Sequence, residues 1–343
     1  MNFLISLDYE LFFGRRTGSV EHCLVEPSEA LCKAVHPYGG KLSFFVDVGF
    51  LLRLAAEAGK SDVLRREYSE LCRHLERLQQ QGHELQLHIH PHWEDTHWVD
   101  GNWQIDTQRY RLHDFAEEQI TEIVSRYCKA LAAFCPAGSI CAFRAGGWVL
   151  QPFSKLAGAL AANGIEIDST VFENGQSESD THLFNFCGAP QKSFWRFDDD
   201  PLLEVAQGRF LEVPIAAHPV TPAFFWKLAF LRKLGRQTDK AFGDGTAIPL
   251  GRNDLLKKLL SRTWSVVSID GRKVDFLEAA FERYARLGRN DFVVIGHPKA
   301  LTRHSIRRLE QFLATRRDLR FVNYQDYRPG FGTQVRPTYL AKD

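Results

Sequence analysis

Short apolar runs alternate along the chain with longer stretches of amphipathic periodicity. Residues 2–7, 42–46, 84–88, 140–144, 165–167 and 292–295 read as strands, with a late one at 320–324. The punctuation between them is helical. Asp62 can cap a helix that runs to about Gln81 and ends at Gly82. Asp114 can cap another that runs to about Phe134 and stops at Pro136. Pro152 sits near the start of a third, which Gly164 closes. Strand, helix, strand at this rhythm predicts right-handed crossovers and a parallel sheet. Residues 171–291 are less regular: 203–205 and 209–213 around Gln207-Gly208 suggest a hairpin, 224–236 a helix, and 238–252 a polar loop. With no repeat or linker, a single domain over 1–343 with a divergent insertion at about 176–290 is expected.

The polar residues that interrupt this pattern all fall at one end of the strands. Asp8 and Glu10 follow the first and Asp47 the second. His88, His90 and His92 follow the third, Arg144 the fourth, Asp168 the fifth, and His297 a later one. The C-terminal strand ends are where a β/α barrel or open parallel sheet gathers its active site.

Length and composition narrow the setting. A chain of 343 residues can bury a deep core, and a net charge of +1 points to no nucleic-acid partner. The seven cysteines contain no Cys-x-x-Cys pair, so neither a disulfide framework nor a cysteine zinc site is expected. The first apolar run meets Asp8 and Glu10 at once, leaving no room for a leader, and no apolar run reaches 18 residues. A cytoplasmic protein is the expectation.

The sequence Glu84-Leu85-Gln86-Leu87-His88-Ile89-His90-Pro91-His92-Trp93 carries three histidines in five residues. Neutral imidazole suits zinc and other borderline divalent metals. In a helical turn His88 and His92 would share a face; in an extended strand His88, His90 and His92 would. Pro91 disfavours the helical conformation for His90 and leaves the choice open. Two histidines and one carboxylate would hold a metal with a position open for water. Asp8 and Glu10, two apart on an extended segment, point the same way: one can bind metal while the other acts as base.

With these residues in place, the chain resembles the polysaccharide deacetylases, carbohydrate esterase family 4, over about 1–175 and 290–325. Ser6-Leu7-Asp8-Tyr9-Glu10 is similar to the first family motif, His88 and His92 to the spaced histidines of the second, and Phe143-Arg144-Ala145-Gly146-Gly147-Trp148 to the third. Ile167-Asp168-Ser169-Thr170 is similar to the fourth, and Val294-Ile295-Gly296-His297-Pro298 to the last. The resemblance implies a distorted (β/α)7 TIM-like barrel and one divalent metal, usually zinc, held by Glu10, His88 and His92. His90 takes over if His92 lies too far. It further implies Asp8 as base, Arg144 as its partner and His297 as acid, with Asp168 orienting His297. The activity implied is removal of an N-acyl group, typically acetyl, from an amino sugar of a bacterial surface polysaccharide such as O-antigen, or from its nucleotide- or lipid-linked precursor. The common Thr-Phe-Asp-Asp-Gly is absent, and the arginine is followed by Ala-Gly-Gly.

Trp93, Trp98 and Trp103 recur after the histidines, and with Trp148 they offer stacking surfaces for a sugar. Gly146 and Gly147 would let backbone approach a ligand, and Asp47 could contact it. Two other readings keep part of this picture: a metal-dependent amidohydrolase or deformylase on a non-polymeric amide, and a sugar-binding protein without catalysis. Residues 223–236 interleave aromatics with basic residues. Peripheral membrane contact is one expectation there, and packing on the barrel is the other.

Overall fold

The computed structural model describes residues 1–179, 181–247, 256, 258–316 and 318–328, so part of the expected 238–252 loop lies outside the described residues. The main sheet is built from strands β1 (Asn2–Tyr9), β2 (Leu42–Asp47), β3 (Glu84–Ile89), β4 (Ala142–Ala145) and β5 (Ile167–Asp168). It is completed by β6 (Trp195–Phe197), β7 (Phe210–Glu212), β8 (Asp291–Gly296) and β9 (Arg320–Phe321). Their order is β6-β7-β5-β4-β3-β2-β1-β8, with β9 also on β1. Every pairing is parallel except β6 with β7. The central strands are buried on both faces, which is why they read as continuous apolar runs instead of alternating ones.

The ends of this sheet meet. Beyond Glu212 the chain continues along β5, with Val213 N–H on Asp168 O at 2.9 Å and Ile215 N–H on Val171 O at 2.9 Å. Ala216 N–H then reaches Val293 O of β8 at 2.9 Å. Residues 267–269 reinforce the seam: Val267 N–H bonds Ala216 O at 2.7 Å and Ile269 N–H bonds Ile295 O at 3.0 Å. The sheet therefore curls into a distorted, TIM-like barrel. Seven positions line the ring: β1, β2, β3, β4, β5, the β7 continuation and β8.

Helices alternate with these strands. They are α1 (Glu26–Val35), α2 (Val48–Glu57), α3 (Asp62–Gln80), α4 (Glu117–Ala132) and α5 (Ser154–Ala162). In the second half come α6 (Pro222–Lys233), α7 (Leu277–Arg286) and α8 (Arg303–Thr315). Helix α3 is capped by Ser61, whose hydroxyl accepts from Leu64 N–H, one residue before the expected Asp62. Asp114 does not cap α4. It is tied to Arg111 in a short turn, and α4 begins at Glu117 with the Gln119 side chain on Ala116 N–H. The expected hairpin pairs differently too. Residues 210–212 bond back to 195–197, and 203–205 belong to the turn between them. Short-range alternation marked a strand there but could not say which strand it joins. The 176–290 stretch thus supplies β6, β7 and part of the barrel seam.

Candidate functional site

Strand register decides what meets at the mouth of the barrel. Asp8 on β1 and Glu10 just past its end are two apart, and both are buried. On β3, the chain stays extended through His90 (φ −113°, ψ 94°) before Pro91–Glu94 turn as a 3-10 helix. Residues two apart on extended backbone share a face, so His88 and His90 project together toward Glu10. The Nε2 atom of His90 lies 2.6 Å from Glu10 Oε2, and that of His88 lies 3.3 Å from the same oxygen. Among the described residues, Glu10, His88 and His90 form the one group of three whose ligand atoms converge closely enough to hold a metal.

His92 does not join them. It sits inside the turn, stacked on Tyr110 (centroids 5.6 Å apart, planes 7°) and edge-on to Phe13 at 4.9 Å. The alternative that put His88 and His92 on one face required a helical turn beginning at His88, and the extended backbone through His90 removes it.

The donor set suits a divalent ion of borderline character. His88 Nδ1 lies 2.8 Å from Arg144 O, so Nδ1 carries a proton and Nε2 faces the site. Lys299 Nζ bonds Glu10 Oε1 at 2.9 Å and Leu11 O at 2.5 Å, leaving Oε2 turned toward the histidines. Burial would raise the Glu10 carboxyl, but the Lys299 charge and the hydrogen bonds from His88 and His90 outweigh it and hold it well below the usual range. Burial pushes His90 down to about 4, which keeps it neutral, as a ligand must be.

Beside this trio stand two charged pairs. Arg144, fully buried on β4, gives Nη1 to Asp8 Oδ1 at 2.6 Å and Nη2 to Ser6 Oγ at 2.9 Å. Its Nε donates to Ser169 O at 2.7 Å, and its plane lies 4.1 Å over the Phe45 ring. A guanidinium held on so many sides has one orientation. The second oxygen of Asp8 lies 3.6 Å from His297 Nε2, which is 3.7 Å from Glu10 Oε1. Asp270 fixes that imidazole, with Oδ2 at 2.8 Å from Nδ1 and Oδ1 accepting the His297 N–H at 2.7 Å. Burial would lower His297, but the charge of Asp270 and its hydrogen bond outweigh it and raise the imidazole.

Asp168 is elsewhere. Its oxygens accept from Thr170 N–H at 2.9 Å and Thr170 Oγ1 at 2.8 Å, and its carboxyl meets that of Glu212, its neighbour on β7. The orienting carboxylate for His297 is Asp270, not Asp168. Burial raises both Asp168 and Glu212, and the neighbouring Asp168 carboxyl adds to the rise of Glu212, which stands well above the ordinary range.

Asp8, Glu10, His90 and His297 open into a pocket of about 290 Å³ walled by Phe12, Phe13, Tyr110, Trp148 and Lys299, among others. Trp148 packs on Phe172 and Phe184 and holds a left-handed φ of 59° straight after Gly147 at 60°. A bulky residue in that conformation is costly and is retained where a wall must be placed. A Cβ on Gly146 would stand 2.5 Å from Ile89 O and 2.6 Å from His90 Nδ1, so glycine there lets His90 take its position. Trp93 is no part of the wall. It is 1% exposed, packs on Phe50 and Trp103, and its Nε1–H reaches Asp47 Oδ2 at 2.6 Å. Asp47 also caps α2 at Phe50 N–H, so both residues are committed to the scaffold.

Lys299, Asp270, Tyr110 and Phe13 were not singled out from the sequence. Asp270 ends the apolar run 266–269 as the other site carboxylates end theirs, and Lys299 lies two beyond His297. Those were the available signals.

The chain is similar over 95% of its length to a provisionally assigned polysaccharide deacetylase from Mycobacterium smegmatis, with 15% identity, a TM-score of 0.49 and 87% of that chain covered. It is also similar over 94% of its length to a family 4 carbohydrate esterase from Streptomyces lividans solved with acetate, at 12% identity, a TM-score of 0.36 and 92% coverage. No family model and no curated protein matches it.

Proposed function

We propose that the chain is a metal-dependent hydrolase that removes an N-acyl group, acetyl in the simplest case, from an amino sugar of a surface polysaccharide or its precursor. The observation that carries this reading is the convergence of Glu10, His88 and His90 between a fixed base, Asp8, and a fixed acid, His297. Glu10, His88 and His90 would hold the ion. When bound, a divalent ion such as zinc supplies Lewis-acid polarisation of the amide carbonyl and acidifies water.

The chain's own groups carry the protons. Asp8 keeps Oδ1 on Arg144 and presents Oδ2 to accept the proton of the attacking water. Asp270 raises the His297 imidazole and holds its Nδ1, so its Nε2 faces the same space and is the group placed to protonate the departing amine. The 3.6 Å between Asp8 Oδ2 and His297 Nε2 supports base and acid acting on one reacting centre. Trp148, Tyr110 and Phe13 give the pocket apolar faces suited to a sugar ring. The test is a mass-spectrometric screen of acetylated and formylated amino sugars with added divalent metal. Loss of an acetyl or formyl mass that stops on chelation supports the reading. No mass loss from any sugar, or loss that survives chelation, contradicts it. A formyl preference, or turnover confined to simple amides, would favour the deformylase or amidohydrolase reading.

A further inference from the structure

Helix α6 turns Phe224, Phe225, Leu228 and Leu231 partly inward, with Phe224 edge-on to Phe276. Its other face carries Trp226, Phe230 and then Leu234 just past the helix end, four apart, at 58%, 63% and 50% exposure. Beside it, Leu256 and Leu260, both helical, are exposed at 54% and 75%. Trp226 Nε1–H donates to Leu259 O at 3.1 Å and so ties this stretch to α6. A cluster of large exposed apolar side chains on one face is unusual for a surface facing only water.

The charge around it identifies an occupant. Residues 222–262 carry nine Lys or Arg against three Asp or Glu, a net +6 in a chain whose total is +1. Lys227, Lys233, Arg236 and Lys240 are all exposed on this stretch. Aromatic and leucine side chains within a rim of cations match the interface of an anionic bilayer: rings enter the headgroup boundary while the cations meet lipid phosphates. The stretch also leads to the pocket. Phe242 N–H bonds Leu301 O at 2.9 Å, Gly243 N–H bonds Lys299 O at 3.1 Å, and Ala247 lines the pocket itself.

We propose that the face formed by α6, Leu256 and Leu260 docks on an anionic lipid surface and brings the pocket mouth close to the bilayer. The docking does not depend on the reaction proposed above. The test is flotation of the full-length protein with vesicles of phosphatidylcholine, with and without about one third phosphatidylglycerol. Co-flotation is expected with the anionic vesicles at low salt, reduced by added salt because the attraction is screened. Reversing Lys227, Lys233 and Arg236 to Glu should abolish it, since each cation near the surface contributes about fivefold. Trp226→Ser with Phe230→Ser should weaken binding by at least tenfold, and Phe230→Ser alone should do so in part; circular dichroism melting checks that each variant stays folded. No flotation at low salt overturns the proposal, as does equal binding to both vesicle types. So does a concentration-dependent dimer, lost in the Trp226/Phe230 variant, in a protein that ignores vesicles; the face would then belong to a second copy.

Discussion

Asp8 reaches the pocket from a wall in which every partner is buried, whereas His297 reaches it from a wall whose orienting carboxylate comes from an irregular crossover and stays partly exposed. The Arg144 guanidinium is 0% exposed and bonds β1, the loop at Ser169 and the turn at Tyr324, while the His297 and Asp270 side chains retain 19% and 16% exposure. Base and acid therefore differ in what their loss should do. Removing a partner from the first wall strands a buried charge, which affects folding and chemistry together. On the second wall, water can reach the vacated position, so chemistry alone should suffer.

The largest effect is expected from Arg144→Met. The buried Asp8 carboxylate would lose its counter-ion, at a cost of about 3–5 kcal/mol in stability, with turnover falling at the same time. Denaturant melts and kinetics on the same preparation check this, and an Arg144→Met protein as stable as the parent would remove the distinction between the two walls. His297→Ala should lower turnover by about 10²- to 10⁴-fold while its melting temperature stays near the parent's. Asp270→Asn should come next, at roughly 10- to 100-fold in rate, the range for partners that orient a working imidazole. Asp168→Asn should change the rate much less. If Asp168→Asn is the slower of the two, the assignment of Asp270 as orienting residue fails.

The smallest effect concerns the paired carboxyls of Glu212 and Asp168. A carboxyl raised in the folded state stabilises it fully below the ordinary glutamate value, 4.5, and loses that contribution as pH rises through the folded value. Parent stability should therefore decline from mildly acidic pH upward by an amount that Glu212→Gln removes. Melting curves of both proteins across that range would show it; parallel pH profiles would mean the pair holds no extra proton.

The same contrast explains how far the sequence could be read. Asp8, Glu10, His88 and Arg144 were legible because apolar runs mark strands, and polar residues at their ends share one side of a parallel barrel. Choosing His90 over His92 needed the backbone conformation at His90, which Pro91 constrains but does not fix. Asp270 and Lys299 escaped because their place depends on how 266–269 closes the barrel seam, a long-range pairing that local periodicity does not encode. Trp93 and Asp47 were misassigned to substrate because an aromatic or carboxylate near a site looks alike whether it faces the pocket or, as here, the partner residue behind it.

The central claim is that Glu10, His88 and His90 bind one divalent ion, and elemental analysis of purified parent, His90→Ala and His92→Ala proteins tests it most directly. About one equivalent of metal is expected in the parent and in His92→Ala, and close to none in His90→Ala, with all three folded by circular dichroism. Metal retained in His90→Ala but lost in His92→Ala would contradict the account.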